Sequence, residues 1–332
     1  MYNIGKTNMF SLIDDGYSFE LSDSAMFNDF VRSISSGLSF SVKKGSVITE
    51  QPQDITAELG EGARLTVGAA DGSSYYWFDP DDCAKCKSDK NYLEIGADTP
   101  VGKYSYLCAV LNGNTVSGSR IVTVTVTCSH KSVTDGVCDG CGIKIAAQAA
   151  ANGKTQTFEN INDAVAFANA NENTVIQLSD SVTIDDYVSF SGKKTTLDMN
   201  GKTFASSNTN RFITVNGDSS LTVIGNGNMT ARLLAEDNST VNIENGKFDE
   251  VSAGNNSALT VNGGIFKMLN ASGGTVTVND GIFTLLNARS TTVLNGGIFD
   301  GIFGSDFYTL LPKGKAFVGA TDNKFNTAEY EY

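Results

Sequence analysis

Thr240-Val-Asn-Ile-Glu-Asn-Gly-Lys-Phe248, Ala258-Leu-Thr-Val-Asn-Gly-Gly-Ile-Phe266, Thr275-Val-Thr-Val-Asn-Asp-Gly-Ile-Phe283 and Thr291-Thr-Val-Leu-Asn-Gly-Gly-Ile-Phe299 say nearly the same thing four times. Seven residues before each Phe stands Val241, Leu259, Val276 or Thr292, and five before it Ile243, Val261, Val278 or Leu294. Three after it stands Val251, Leu269, Leu286 or Ile302. The phenylalanines are 18, 17 and 16 residues apart. A unit of that size cannot bury its own apolar face, so copies must stack and cover one another. In the first three copies Val-Asn-Ile, Leu-Thr-Val and Val-Thr-Val alternate with the two-residue period of a strand. No hairpin spacing separates the strands of one copy, and like residues recur in phase. The fold class that follows is all-β, with a single-stranded parallel β-helix whose interior stacks Phe on Phe and Val on Val. Asn and Gly between the apolar sites then turn the corners with left-handed backbone angles, and their amides are expected to ladder from coil to coil.

Upstream the same offsets persist in longer coils. Leu197, Met199 and Phe204 repeat the spacing of seven and five, after the strand-like Thr174-Val-Ile-Gln-Leu178 and Val182-Thr-Ile184, and Phe212-Ile-Thr-Val215 adds a strand. Before them Asn160-Ile-Asn-Asp163-Ala-Val-Ala-Phe-Ala-Asn169 reads as a helix. Asn160 is its N-cap, Asp163 suits the first turn, and Ile161, Ala164, Val165 and Ala168 share one face. An open β-helix end exposes unpaired backbone and apolar interior, so this helix is expected to be an N-terminal cap. The β-helix is placed at 146–304, with 305–332 as a C-terminal cap or tail. The stretch from Thr155 to Phe303, and Leu197-Asp-Met-Asn-Gly-Lys-Thr203 in particular, resembles the right-handed pectate-lyase-like β-helices found in bacterial surface proteins. Handedness comes from that resemblance alone.

Residues 49–127 carry a different pattern. Ala63-Arg-Leu65-Thr-Val67 alternates, Tyr75-Tyr76-Trp77-Phe78 holds the only Trp, and Gly102-Lys-Tyr104-Ser-Tyr106-Leu-Cys108-Ala-Val110 has a Tyr two residues before a Cys. Gln51-Pro52-Gln53-Asp54 opens an edge strand and Ile121-Val-Thr-Val124-Thr-Val126 closes the set. A core Trp and a tyrosine-corner Tyr106 are features of immunoglobulin-type sandwiches. The stretch resembles the bacterial Ig-like domains found in tandem on Gram-positive surface proteins. The strand around Leu65 has no Cys, so the usual inter-sheet disulfide is excluded. Cys108 is expected free or paired with Cys83 or Cys86.

Cys128-Ser-His130 and Cys138-Asp-Gly-Cys141 follow at once, bringing in the only His of the chain. Cys128, His130, Cys138 and Cys141 make the Cys₃His set that tetrahedral Zn²⁺ takes, against an alternative of disulfides or free thiols. Residues 128–145 are too short for a core of their own, so metal would supply their folding free energy. Four protein ligands close the site, which makes the Zn²⁺ structural. The stretch is similar to linker knuckles between modules of secreted clostridial-type proteins. Cys83-Ala-Lys-Cys86 lacks further ligands, and no βαβ pattern marks it as a redox motif.

Residues 1–48 read as a connector. Phe10-Ser-Leu12-Ile13-Asp-Asp-Gly16-Tyr-Ser-Phe19 matches Tyr308-Thr-Leu310-Leu311-Pro-Lys-Gly314-Lys-Ala-Phe317 position by position in aromatics, apolar pair and Gly. The first copy therefore reads as the tail of a preceding β-helix, or as a chance match. With 332 residues, two or three domains are expected, and a net charge of -13 argues against a nucleic-acid partner. Met1-Tyr2-Asn3-Ile4-Gly5-Lys6 lacks the apolar core of a signal peptide, and no segment is long and apolar enough to insert in a membrane.

Enzymes of the pectate-lyase-like class cleave acidic polysaccharides with clustered carboxylates beside a basic residue. Here Asp185-Asp186 is an isolated pair, Asp198 sits beside core residues, and Arg211, Arg232 and Arg289 are scattered. The expectation is thus a non-catalytic, adhesin-like protein, extracellular or at a bacterial surface, that binds a host or matrix protein or glycan. A polysaccharide lyase or glycoside hydrolase and a passive stalk are the alternatives.

Overall fold

The computed structural model describes residues 9–12, 16–32, 39–208, 212–289, 291–304, 309–319 and 325–329. The chain forms two compact units, Met1–Ser129 and His130–Tyr332. The second is a parallel β-solenoid of about seven turns. Its first face stacks the strands Thr174–Leu178, Lys194–Asp198, Ser220–Ile224, Thr240–Ile243, Ala258–Val261, Thr275–Val278 and Thr292–Leu294 in that order. Parallel pairing aligns Ile176, Leu197, Val223, Ile243, Val261, Val278 and Leu294 in one column, every one of them buried. Their strand neighbours point outward, which is why the sequence alternates.

A second column holds Phe204, Met229, Phe248, Phe266, Phe283 and Phe299. The last four rings stack with centroids 5.0, 4.9 and 5.0 Å apart and planes within 12° of parallel. That spacing is close to the interstrand distance of about 4.8 Å, so backbone pairing and ring stacking are satisfied by one geometry. A third buried column runs Val188, Ile213, Leu233, Val251, Leu269 and Leu286, and ends on partly buried Ile302. In early coils the second and third faces are separate strands, such as Val182–Ile184 and Val188–Ser191. In the next three coils one seven-residue strand, Lys247–Ala253, Ile265–Ala271 or Ile282–Ala288, serves both, and in the last coil the faces part again into Ile298–Phe299 and Ile302–Gly304.

Corners explain the glycines. Gly281 has φ +135°, and a Cβ there would lie 2.9 Å from the Phe283 ring. Gly246, Gly264 and Gly297 repeat that backbone at the same phase. The amide ladder also forms: Asn295 Nδ2 donates to Asn279 Oδ1 (2.7 Å), Asn279 to Asn262 (2.8 Å) and Asn262 to Glu244 Oε1 (2.9 Å).

Antiparallel strands end the parallel stack at both extremes. Ala147–Ala151 pairs antiparallel with Thr174–Leu178 and with Lys154–Phe158. The helix Ile161–Ala170 follows, with the Asn160 Oδ1 accepting from Asn162 N at 2.8 Å, and its Ile161, Ala164, Val165 and Ala168 join the solenoid core. At the other extreme Phe325–Glu329 pairs antiparallel with Ile298–Phe299 and with Lys315–Gly319, while Leu310 is buried in the core. Among the described residues no helix is long and apolar enough to cross a membrane.

In the first unit the strands run in the order Phe40–Lys44, Tyr17–Leu21, Thr115–Gly118, Gly102–Asn112, Val122–Thr127, Ile55–Glu58, with Ser74–Phe78 also paired to Gly102–Asn112. Ala63–Thr66 pairs with Tyr92–Ile95, and Ile48–Glu50 with Gly68–Ala69. Trp77 is fully buried among Leu65, Leu93, Cys108, Val110 and Val122, and its Nε1 donates to Lys90 O at 3.0 Å. Tyr104, two residues before the Tyr106 read as a tyrosine corner, donates its hydroxyl to the Pro100 carbonyl at 2.8 Å. The two side chains share a strand face, and Tyr104 stands nearer the turn that supplies the acceptor.

The segment read as a connector joins this sheet. Tyr17–Leu21 hydrogen-bonds both Phe40–Lys44 and Thr115–Gly118, and Phe10, Phe19, Phe27, Phe30 and Val31 pack on Tyr76, Phe78, Leu107 and Val116. A four-residue 3₁₀ turn, one strand and the five-residue helix Phe27–Val31 supply these aromatics. Each element is too short to leave a period in the sequence. The matched motifs do share local form: Gly16 and Gly314 have φ +86° and +87°, and each leads into a strand that pairs antiparallel with the next strand of the chain. Ile13, Asp14, Asp15 and Tyr308 of that match lie outside the described residues, as does Arg211. Pairing with Thr115–Gly118 assigns the N-terminal copy to the sheet of the first unit.

Candidate functional site

The candidate ligands fall within the short stretch from Cys128 to Cys141. Val133–Thr134 and Val137–Cys138 form a hairpin, with Val133 opposite Cys138, turned by Asp135 (φ +48°) and Gly136 (φ +76°). Two left-handed residues make the turn that suits the twist of a tight hairpin, and Asp-Gly is a preferred pair there. The chain then folds back again: Gly142 N donates to Cys138 O and Cys138 N to Ile143 O, each at 2.9 Å. These two reversals place Cys138 and Cys141 side by side. Asp139 braces the outside, where its carboxylate accepts from Ser132 Oγ and from Thr134 Oγ1.

The Sγ atoms of Cys128, Cys138 and Cys141 and a ring nitrogen of His130 all lie within 4.8 Å of one another. Cys141 Sγ is 3.4 Å from His130 Nδ1. Metal–ligand bonds of about 2.0–2.3 Å place ligand atoms roughly 3.6–3.8 Å apart in a tetrahedron, so this group could hold a metal ion. The Cys141 backbone N–H, then His130, push the Cys138 thiol down to about 6 from an ordinary 9.0. His130 has φ +49°, in the left-handed region that non-glycine residues rarely occupy. Its Nε2 points the other way, 3.7 Å from Glu159 Oε1.

The hairpin is seated on the solenoid. Ile145 is fully buried and donates its N–H to Gly136 O at 2.7 Å, and a Cβ on Gly136 would lie 2.6 Å from Asp180 Cβ.

No disulfide joins any of the six cysteines. Cys108 is fully buried and its thiol is pushed far up by that burial. Cys86, also raised by burial, contacts Ser88 O at 3.3 Å.

On the solenoid surface the acids considered for catalysis serve turns. Asp186 Oδ1 accepts from Tyr187 N (2.8 Å). Asp198 accepts from Asn200 N (2.9 Å) and Gln177 Nε2 (2.8 Å). Among the described residues, Cys128, His130, Cys138 and Cys141 form the one group of three or more His, Cys, Asp or Glu placed to share an ion.

Sequence reading missed an outward column. Strand register aligns Phe212 with Arg232 and Glu250 with Met268 and Leu285. Tyr187 and Phe212 meet edge to face at 4.8 Å, the Arg232 guanidinium stands 5.9 Å from the Phe212 ring, and Arg232 Nε pairs with Glu250 Oε1 at 2.9 Å. Tyr187 is 48% exposed and the others are half-buried. The signal was present two residues after each repeat Phe, at Glu250, Met268 and Leu285. Unequal early coils hid its continuation. The chain matches no protein-family model and no curated protein.

Proposed function

We propose that the protein is a non-catalytic, adhesin-like binding protein, secreted or held at a bacterial surface, whose solenoid presents an elongated face to a host or other extracellular protein or glycan. The observation that carries this reading is the outward column Tyr187, Phe212, Arg232, Glu250, Met268 and Leu285. Backbone pairing holds rings, a guanidinium and aliphatic chains in one line, so little ordering entropy is lost when a ligand lies along it. In this reading the first unit is an Ig-like sandwich, the helix Ile161–Ala170 caps the solenoid, and Cys128, His130, Cys138 and Cys141 hold structural Zn²⁺. Three thiolates and an imidazole suit Zn²⁺ in a closed tetrahedral site.

The test is binding of the full chain to arrays of extracellular matrix proteins, host glycoproteins and glycans. Saturable binding weakened tenfold or more by Tyr187→Ala with Phe212→Ala is expected. Unchanged binding by that variant would remove the column from the reading. No binding across the arrays would favour the passive stalk. Depolymerisation of a polyuronate, abolished by Asp185→Asn with Asp186→Asn, would favour a polysaccharide lyase or glycoside hydrolase.

A further inference from the structure

We infer that Glu159 is a positioning residue of the metal centre: its carboxylate takes the Nε2–H of His130, which leaves Nδ1 as the metal-facing nitrogen. This rests on the reading of Cys128, His130, Cys138 and Cys141 as metal ligands. Two distances carry it. His130 Nδ1 lies 3.4 Å from Cys141 Sγ, inside the thiol group, while Nε2 faces the Glu159 carboxylate outside it, 3.7 Å from Oε1, an ion-pair contact that a closure of about 0.5 Å would turn into a hydrogen bond. A neutral imidazole has one N–H and one lone pair, and an acceptor at one nitrogen places the lone pair on the other. Metal-bound histidines are commonly oriented in this way by a carboxylate beyond the ligands.

The position of Glu159 is set by the solenoid. It directly follows the strand Lys154–Phe158, where Phe158 packs against Phe167 at 5.6 Å, and directly precedes Asn160, the N-cap of the helix Ile161–Ala170. Backbone held on both sides leaves the carboxylate a short reach. The His130 backbone, at φ +49°, is strained for a non-glycine residue, and strain of this kind persists where surrounding structure over-determines a geometry. The ligand set and the solenoid start are thereby linked through one side-chain pair.

The experiment measures Zn²⁺ affinity of the full chain by competition with a chromophoric chelator, alongside the ¹⁵N spectrum of the single imidazole. Glu159→Ala should weaken Zn²⁺ binding about 10–100-fold and speed exchange of the Nε2–H, with the metal-free melting temperature unchanged. Glu159→Gln, which keeps an acceptor, should lose less. An affinity within twofold of wild type for Glu159→Ala, or a loaded wild-type protein with its proton on Nδ1, would overturn the inference while leaving the metal centre intact. A wild-type chain that takes up no Zn²⁺ would overturn the metal reading itself.

Discussion

Replacing Phe266 by alanine should remove a large part of the solenoid's stability. The ring is fully buried, sandwiched between Phe248 at 5.0 Å and Phe283 at 4.9 Å, with planes 10° apart in both pairs. A phenylalanine buries about 150–250 Å², worth about 4–6 kcal/mol at ~25 cal/mol per Å². Alanine retains one carbon of that, and measured losses for such changes run about 3–5 kcal/mol. The coils cannot slide together to fill the hole, because the Ile243–Val261–Val278 column fixes their separation. Phe299 is equally buried and, among the described side chains, stacks on one ring, Phe283 at 5.0 Å. Phe299→Ala should therefore cost less by about one stacked pair, roughly 0.5–1.5 kcal/mol. Urea unfolding followed by far-ultraviolet circular dichroism gives both differences. A Phe266→Ala loss below about 1 kcal/mol, or a larger loss for Phe299→Ala, would refute the stacked-column account.

Two further outcomes follow from the thiols. Cys108 is buried and its thiol is raised by that burial, so iodoacetamide at pH 8 should label Cys86 in the native protein and Cys108 only after unfolding; labelling of native Cys108 at the same rate would contradict the packing. Cys138 titrates lower folded, at about 6, than its ordinary 9.0. Its contribution to stability is thus fully present above the ordinary value and is lost as pH falls through about 6. Bound Zn²⁺ holds the thiolates against protons, so it should dissociate at a lower pH than this, and its release should take up protons; a Zn²⁺ affinity that does not change with pH would count against these ligands.

The residues that were legible are those whose partners repeat in phase or stand close in the chain. A buried column at every coil forces the same residue type at the same phase, so Phe248, Phe266, Phe283 and Phe299 announced their own contacts. The Cys/His group was legible because tight hairpins need only local turn chemistry, such as Asp135-Gly136, to gather ligands. Glu159 was not, standing 29 residues beyond His130 with nothing in its neighbourhood to mark it. The N-terminal phenylalanines were missed for the related reason that short elements carry no period.

Phase and spacing in the amino-acid order thus determined a stacked parallel solenoid, its shortening coils, its amide ladder and a Cys/His group that could hold a metal ion. Tertiary structure alone decided that Tyr17–Leu21 enters the first sheet, that Tyr104 bonds back to its turn, and that Tyr187, Phe212 and Arg232 share one outer line. The physical reason is range. Periodic burial and turn geometry are written into adjacent residues, whereas pairing between distant strands depends on which edges and faces remain open once the local elements have formed.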